Sequence, residues 1–306
     1  MSNSVFNGDN LECCTLCPRE CKVNRFQHRG FCGERAEIRI ARAELHHWEE
    51  PCISGTNGSG TVFFSGCSLK CCFCQNYEIS AENKGFALTP QQLADTFLML
   101  QSRGAHNINL VNPTHFVIQI ITALDMCKDK LNVPVVYNCG GYEKADVIKQ
   151  LAGYVDVFLP DLKYYNSEIS KKYSCAENYF QKASEAIKTM VNVVGKPLFD
   201  ENELLKKGVV IRHLVLPSCR HDSIKLMNWL GENFQDDEIL VSLMSQYTPI
   251  YKCNSFPEIN RRTSTFEYNS VCKELQKFGF NGYFQQRNSA QTDYIPQFYD
   301  ELYYEL

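Results

Sequence analysis

Three cysteines with metal-ligand spacing fall inside the segment 66–76, GCSLKCCFCQN. Cys67, Cys71 and Cys74 form a C-x3-C-x2-C loop directly after the apolar run Thr61–Phe64, which reads as a strand. Three thiolates so spaced can hold three irons of a 4Fe-4S cube and leave the fourth open. An open iron is a place for a substrate to bind, so the loop reads as a reactive centre and not as a closed electron wire. Zinc is the competing structural reading. Structural zinc, however, normally takes four closed ligands, often as two separated C-x2–4-C pairs. Cys72 lies between the ligands but off the spacing.

A second cysteine group precedes the first. Cys14, Cys17, Cys21 and Cys32 are spaced C-x2-C-x3-C-x10-C, with Gly30 and Gly33 flanking Cys32 and with Cys13 beside Cys14. Four thiolates close either a structural zinc site or a second 4Fe-4S cluster, and the spacing leaves both open. A short polar segment without a core needs such a staple to fold. Arg19, Lys22, Arg25, Arg29, Arg35, Arg39 and Arg42 crowd the same stretch. They make either a solvated face or a docking surface for an acidic electron donor or protein substrate.

Composition narrows the class. The chain has 306 residues, 44% hydrophobic and 22% charged, enough for a large core. Its 16 cysteines are concentrated in two groups instead of spread at framework spacings, which favours metal over disulfides and a cytoplasmic location. The first residues carry no basic n-region or apolar h-region, and no run of about 18 apolar residues occurs, so no membrane association is expected. A net charge of −4 argues against nucleic acid as a partner.

The elements that must position these cysteines alternate along the chain. Strands are predicted at Thr61–Phe64, Asn107–Val111, Val133–Tyr137, Val155–Leu159, Val209–Leu216 and Glu238–Leu243. Between and after them, helices are predicted at Gln91–Arg103, Thr114–Lys130, Glu143–Leu151, Glu177–Val194, Ser223–Phe234 and Thr265–Phe278. Thr89-Pro90 reads as a cap with a first-turn proline, and Gly104 as a stop. Repeated β-then-α units with strands apolar on both faces imply a parallel sheet with right-handed crossovers. The division expected is a cysteine-rich N-terminal extension (1–59), a barrel (60–286) and an acidic, aromatic C-terminal tail (287–306).

These residues resemble the radical SAM superfamily, whose signature is C-x3-C-x-aromatic-C; Phe73 holds the aromatic position. The resemblance implies an α/β fold, a partial (β/α)6 TIM-like barrel following the metal-binding extension. It also implies that the open iron chelates S-adenosylmethionine, which one electron from the cluster splits to a 5'-deoxyadenosyl radical. The electron donor implied is a protein such as flavodoxin or ferredoxin.

Strand ends are where barrels of this kind collect chemistry. Where many family members have Gly-Gly-Glu after the second strand, this chain has Asn112-Pro-Thr-His115. Asn112, Thr114 or His115 would replace the contact to the cofactor's amino group, or serve as a helix cap and a structural histidine. The segment Leu159-Pro-Asp-Leu-Lys163 resembles that of glycyl-radical-enzyme activases such as the pyruvate formate-lyase activating enzyme, which implies a cofactor-site role for Asp161. Asn138, in the turn Asn138-Cys-Gly-Gly141, would line the same pocket. Arg212, beside His213 on the fifth strand, is similar to that subgroup's arginine and would meet the cofactor carboxylate; as a buried cation it needs an anionic partner in any case. Gln246 and Tyr247 follow the sixth strand as further candidates. His46, His47, Glu49 and Glu50 lie between the N-terminal cysteines and the barrel, where ordinary hydrogen bonding explains them at least as readily as catalysis. The expectation is a radical SAM enzyme abstracting hydrogen, activase-like, with its substrate unassigned. A non-catalytic metal-binding interaction protein, iron-sulfur or zinc, is the reading from another class.

Overall fold

A computed structural model describes residues 9–284, so the expected tail at 287–306 lies outside the described residues. The strands are β1 (Ile38–His46), β2 (Ser59–Phe64), β3 (Phe86–Leu88), β4 (Ile108–Val111), β5 (Val135–Cys139), β6 (Val157–Pro160), β7 (Leu198–Phe199), β8 (Leu205–Leu214), β9 (Leu240–Met244) and β10 (Gly282–Phe284). They join in the order β10-β9-β8-β6-β5-β4-β2-β1-β3, with β7 antiparallel to β8. The run β2-β4-β5-β6-β8-β9 is parallel throughout and is the predicted six-strand set. The sheet stays open, as a partial TIM-like barrel does.

Helices follow the predicted strands in turn. Pro90–Ser102 opens on a Thr89–Gln92 capping box with proline in the first turn, and Gly104 takes up a φ of 90° behind it. Val117–Cys127, Ala145–Gln150, Tyr179–Val194, Arg220–Asn233 and Thr265–Leu275 match the other predicted helices within a few residues. Ser167–Ser174 is an additional helix. Its sequence is polar, with Ile169 and Tyr173 as a single apolar pair, so periodicity does not mark it; Asn166 caps it by accepting from the Glu168 and Ile169 amides. Among the described residues no helix is long and apolar enough to cross a membrane.

Besides the short β7, three strands of the sheet were not predicted. β10 adds in parallel beyond β9, while β1 pairs antiparallel with β2 and carries β3 on its other edge. Segment 38–46 therefore belongs to the sheet, although it falls within the stretch read as an extension. Its alternation of Ile38 and Ile40 with Arg39 is the period-two pattern of a half-buried strand.

Side-chain alternation sorts the sheet into two faces. Tyr137, Phe158, Val209 and Ile211 point outward into the main core beneath the helices. Val136, Val157, Leu159, Val210 and Leu240 point inward with Cys52 and Ile53. Two residues further along these inward rows stand Asn138, Asp161, Arg212 and Ser242, so the period that builds the apolar floor also delivers the polar groups above it.

Candidate active site

An inward cavity of about 340 Å3 is bordered by Cys71, Cys74, Asn138, Asp161, Lys163 and Arg212, among others. Cys67 adjoins it through Cys71 and Cys74, whose charges act on its thiol. The loop sulfurs each have a hydrogen-bond donor or hydroxyl neighbour. The Leu69 amide donates to Cys67 Sγ at 3.4 Å, the Ser174 hydroxyl to Cys71 Sγ at 2.9 Å, and the Ser80 hydroxyl lies 3.1 Å from Cys74 Sγ. Burial pushes the Cys67 thiol up to about 12 and the Cys74 thiol to about 11. Metal binding at these thiols must therefore displace protons. Cys72 turns away: its amide donates to the Tyr173 carbonyl, and its carbonyl accepts from the Lys252 amide.

Arg212 is the hub of the cavity wall. Its Nε donates to Asp161 Oδ1 at 3.0 Å, Nη1 to Glu49 Oε2 at 3.0 Å and Nη2 to Asn138 Oδ1 at 2.6 Å. Lys163 Nζ donates to Asp161 Oδ2 at 2.6 Å. Burial alone would raise the Asp161 carboxyl, but the adjacent Lys163 and Arg212 charges outweigh it and hold the group below its ordinary range. Burial would likewise lower Arg212; Asp161, Glu50 and Glu49 reverse the direction and lock the guanidinium in its charged form.

The backbone beneath this wall is fixed by close packing. Gly141 has a φ of 77°, and a Cβ there would lie 2.1 Å from the Asp161 carbonyl. The glycine in the Asn138–Gly141 turn thus serves an approach to Asp161. The Tyr179 hydroxyl donates to that same carbonyl at 2.7 Å and accepts from the Lys163 amide at 3.0 Å.

The predicted residues separate into two groups. Asn138, Asp161, Arg212 and Gln246 border the cavity with the cysteines. Asn112, Thr114 and His115 instead back the loop: Asn112 donates to the Gly66 carbonyl, Thr114 to Glu143 at 2.6 Å, and His115 Nε2 bonds the Ser65 carbonyl at 2.6 Å. Burial lowers His115 to about 3, so it is neutral and Nε2 carries the proton toward that carbonyl. His213 points out of the barrel toward Leu162 and Ser223. Tyr247 turns back into the core, edge-on to Phe73 with ring centroids 5.7 Å apart.

Lys163 is a cavity residue that was not expected from the sequence, and Glu49 and Glu50, weighed there between hydrogen bonding and catalysis, border the cavity as well. Lys163 had a signal, since it stands two positions from Asp161 and so shares its face. Glu49 and Glu50 had none beyond the need of a buried arginine for anions. Glu50 is buried, and burial raises its carboxyl against the pull of Arg212.

In the N-terminal segment Cys14, Cys17 and Cys32 are buried, Cys21 is half-buried and Cys13 is exposed. A Cβ on Gly30 would lie 3.4 Å from both Cys21 Sγ and Cys32 Sγ. Several of the basic residues have internal partners. Arg19 donates to the Ser68 carbonyl at 2.7 Å and lies over Phe31, Arg39 faces Glu34 at 3.7 Å, and Arg42 pairs with Glu44. Among the described residues no group of three or more His, Cys, Asp or Glu side chains converges as a single metal ion would require.

Residues 61–201 match the radical SAM superfamily. A protein of Methanocaldococcus jannaschii, "Uncharacterized protein MJ0674", is 32% identical over 282 residues, spanning 88% of this chain and 75% of that one. Among solved structures, Streptococcus suis SuiB bound to the precursor peptide SuiA aligns over 72% of this chain and 46% of its own, with a TM-score of 0.47 and 15% identity. The FeFe-hydrogenase maturase HydG from Carboxydothermus hydrogenoformans aligns over 71% of this chain and 50% of its own, with a TM-score of 0.48 and 10% identity. The chain thus spans about half the length of these solved structures. With its cysteine loop at the end of β2 and its six parallel strands, the chain is an enzyme that belongs to the radical SAM superfamily.

Proposed function

We propose that Cys67, Cys71 and Cys74 hold a 4Fe-4S cluster and that S-adenosylmethionine occupies the adjoining cavity. One observation carries this reading: two of the three loop cysteines border the same cavity as Asp161, Arg212 and Asn138. The residues suit the group, because three half-buried thiols stand together with N–H and O–H neighbours at their sulfurs. When bound, the cluster and S-adenosylmethionine supply a one-electron cleavage that generates a hydrogen-abstracting radical.

The chain's own residues bind and orient. A guanidinium has five N–H donors, and Arg212 engages three of them within the wall. The remainder are available to the cofactor's carboxylate. Asp161 holds Arg212 and Lys163 together on the cavity wall, with Lys163 acting on the Cys71 thiol. The apolar wall of Phe63, Val111, Leu214 and Met244 limits water around the reacting atoms.

Within this activity we assign the chain to the activase-like branch, with a glycyl-radical enzyme as its protein substrate and a flavodoxin or ferredoxin as its donor. The Asp161-Leu-Lys163 segment supports this, as both charged side chains face the cavity. The test supplies S-adenosylmethionine, a reductant and a glycyl-radical enzyme of the same organism under anaerobic conditions. Release of 5'-deoxyadenosine together with a stable protein-radical EPR signal is expected. Nucleoside release without that signal would discard the activase assignment and keep the chemistry; no nucleoside release would discard both.

A further inference from the structure

The N-terminal cysteines surround a buried cation whose direct partners are all uncharged. Arg25 is fully buried. Its Nη1 donates to the His115 carbonyl at 2.5 Å and its Nη2 to the Arg35 carbonyl, while Nε finds no acceptor. Glu34, the buried carboxylate of the same segment, is directed to Arg39 at 3.7 Å and accepts from Asn83 at 2.6 Å. A buried guanidinium held by two carbonyls, the Phe116 ring and the Cys14 thiol, with no carboxylate bonded to it, is costly. Its positive charge acts on Cys14 and Cys32, and Cys14 in turn interacts with Cys21 and Cys17. Cys21 and Cys32 face one another across Gly30, where a Cβ would lie 3.4 Å from each sulfur, and Cys14 and Cys17 adjoin them.

This group abuts the catalytic loop. The Cys67 amide donates to the Cys32 carbonyl at 3.2 Å. Gly66, with a φ of 80°, has no room for a side chain, since a Cβ would lie 2.8 Å from that same carbonyl. The Arg25 acceptor His115 also bonds Ser65, so the two cysteine groups share one hydrogen-bonded seam.

We propose that Cys14, Cys17, Cys21 and Cys32 bind a second 4Fe-4S cluster, which accepts electrons from a low-potential iron-sulfur or flavin protein and passes them to the cluster of the catalytic loop. An oxidised cube with four thiolates is a dianion, and it would add counter-charge beside Arg25, which otherwise has only Glu34 acting on it through space. Four protein ligands leave no open iron, as suits a carrier. In each transfer the donor loses one electron and the N-terminal cluster gains it. The N-terminal cluster then returns to its oxidised state as the catalytic cluster is reduced, and no atom moves. Zinc would also give an anionic centre, but it carries no electron across the Cys32–Cys67 contact.

The relay rests on the catalytic-cluster reading, whereas the second site does not, and metal counts separate them. Anaerobically prepared wild-type chain should hold about eight irons and eight sulfides, and the Cys67→Ala/Cys71→Ala/Cys74→Ala variant about four of each. Cys14→Ala/Cys17→Ala should also retain about four. It should turn over S-adenosylmethionine with dithionite but at least tenfold more slowly than wild type with reduced ferredoxin. In redox titrations followed by EPR, Arg25→Gln should lower the midpoint of one signal and leave the other unmoved. Should a variant fail to fold, the wild-type count still decides: about four irons with one zinc, or about four irons and no other metal, overturns the second cluster. Unimpaired turnover with ferredoxin in a folded Cys14→Ala/Cys17→Ala variant that has lost about four irons overturns the relay.

Discussion

Arg212 and Glu49 meet at 3.0 Å across 163 positions of sequence. Glu49 arrives from the loop between β1 and β2 and places one carboxylate oxygen on Arg212 and the other on the amides of Asn109 and Asn138, each at 3.1 Å. The loop before the barrel therefore helps build the cavity. A charged hydrogen bond contributes about 1.5 to 3 kcal/mol. Glu49→Ala should lower thermal stability and reorient Arg212, weakening S-adenosylmethionine binding about tenfold, as read by equilibrium titration. Unchanged affinity with lowered stability would limit Glu49 to a structural role.

Asp161→Ala and Arg212→Ala should each weaken cofactor binding by roughly tenfold or more while leaving iron content intact. They should differ in stability. Removing Arg212 leaves the half-buried Glu49 with amide donors alone and Asp161 with Lys163 alone, whereas removing Asp161 leaves Arg212 with Glu49 and leaves Lys163 a short reach from solvent. Denaturant titration should rank Arg212→Ala as the less stable. The reverse order would mean that Lys163, not Arg212, is the cation that depends on the pairing.

Replacing Cys67, Cys71 and Cys74 together should abolish iron binding at the loop and 5'-deoxyadenosine release. Cys72→Ala should preserve both, because its sulfur lies with Cys253 on the far side of the loop and its backbone bonds hold without the thiol. Iron and sulfide analysis with a nucleoside assay checks both variants. Loss of the cluster in Cys72→Ala would require a different ligand set.

The parts of the fold legible in the sequence are those governed by local periodicity. Val133–Tyr137 and Val155–Leu159 read as strands because their apolar runs are bounded and β-branched, and they overlap β5 and β6. The capping residues Thr89 and Gln92 likewise act within one turn. What stayed hidden depends on contacts distant in sequence. The arginines of the N-terminal stretch look alike in the chain, yet Arg19 is drawn to carbonyls near Cys71, Arg39 to Glu34, and Arg25 to a fully buried position. Glu49 becomes a wall residue only because β1 turns back along β2 and delivers the following loop beneath Arg212.

Gly141→Ala should disturb the cavity from below, through the Asp161 carbonyl and the Tyr179 hydroxyl bonded to it. The left-handed φ of 77° is unfavourable for alanine, and its Cβ would meet the Asp161 carbonyl at 2.1 Å. The backbone must shift, carrying Asp161 away from Arg212. We expect destabilisation on the order of 2 kcal/mol or more together with weaker cofactor binding. Wild-type affinity in a folded Gly141→Ala chain would show that the Asp161–Arg212 pair does not set the site.

The outward neighbour of Arg212 predicts the acid limb of stability. His213 is buried, with Nδ1 donating to the Leu162 carbonyl at 2.6 Å and Nε2 accepting from the Ser223 hydroxyl at 2.8 Å. Burial pushes it down to about 4 from an ordinary value of 6.5. Between those values the unfolded chain binds a proton that the native state refuses, so stability is complete above pH 6.5 and falls as pH drops toward 4. The loss across this window is on the order of 3 kcal/mol. His115, lowered further by burial, titrates with the same sign and extends the fall to more acid pH. His213→Asn should be less stable than wild type at pH 7.5, because it loses the Ser223 contact, but its stability should decline less steeply between pH 6.5 and 4. Urea unfolding followed by circular dichroism at several pH values, on anaerobic protein, measures both slopes. Equal slopes in the two chains would place the acid sensitivity at His115 or at the carboxylates of the cavity, and would remove His213 as its source.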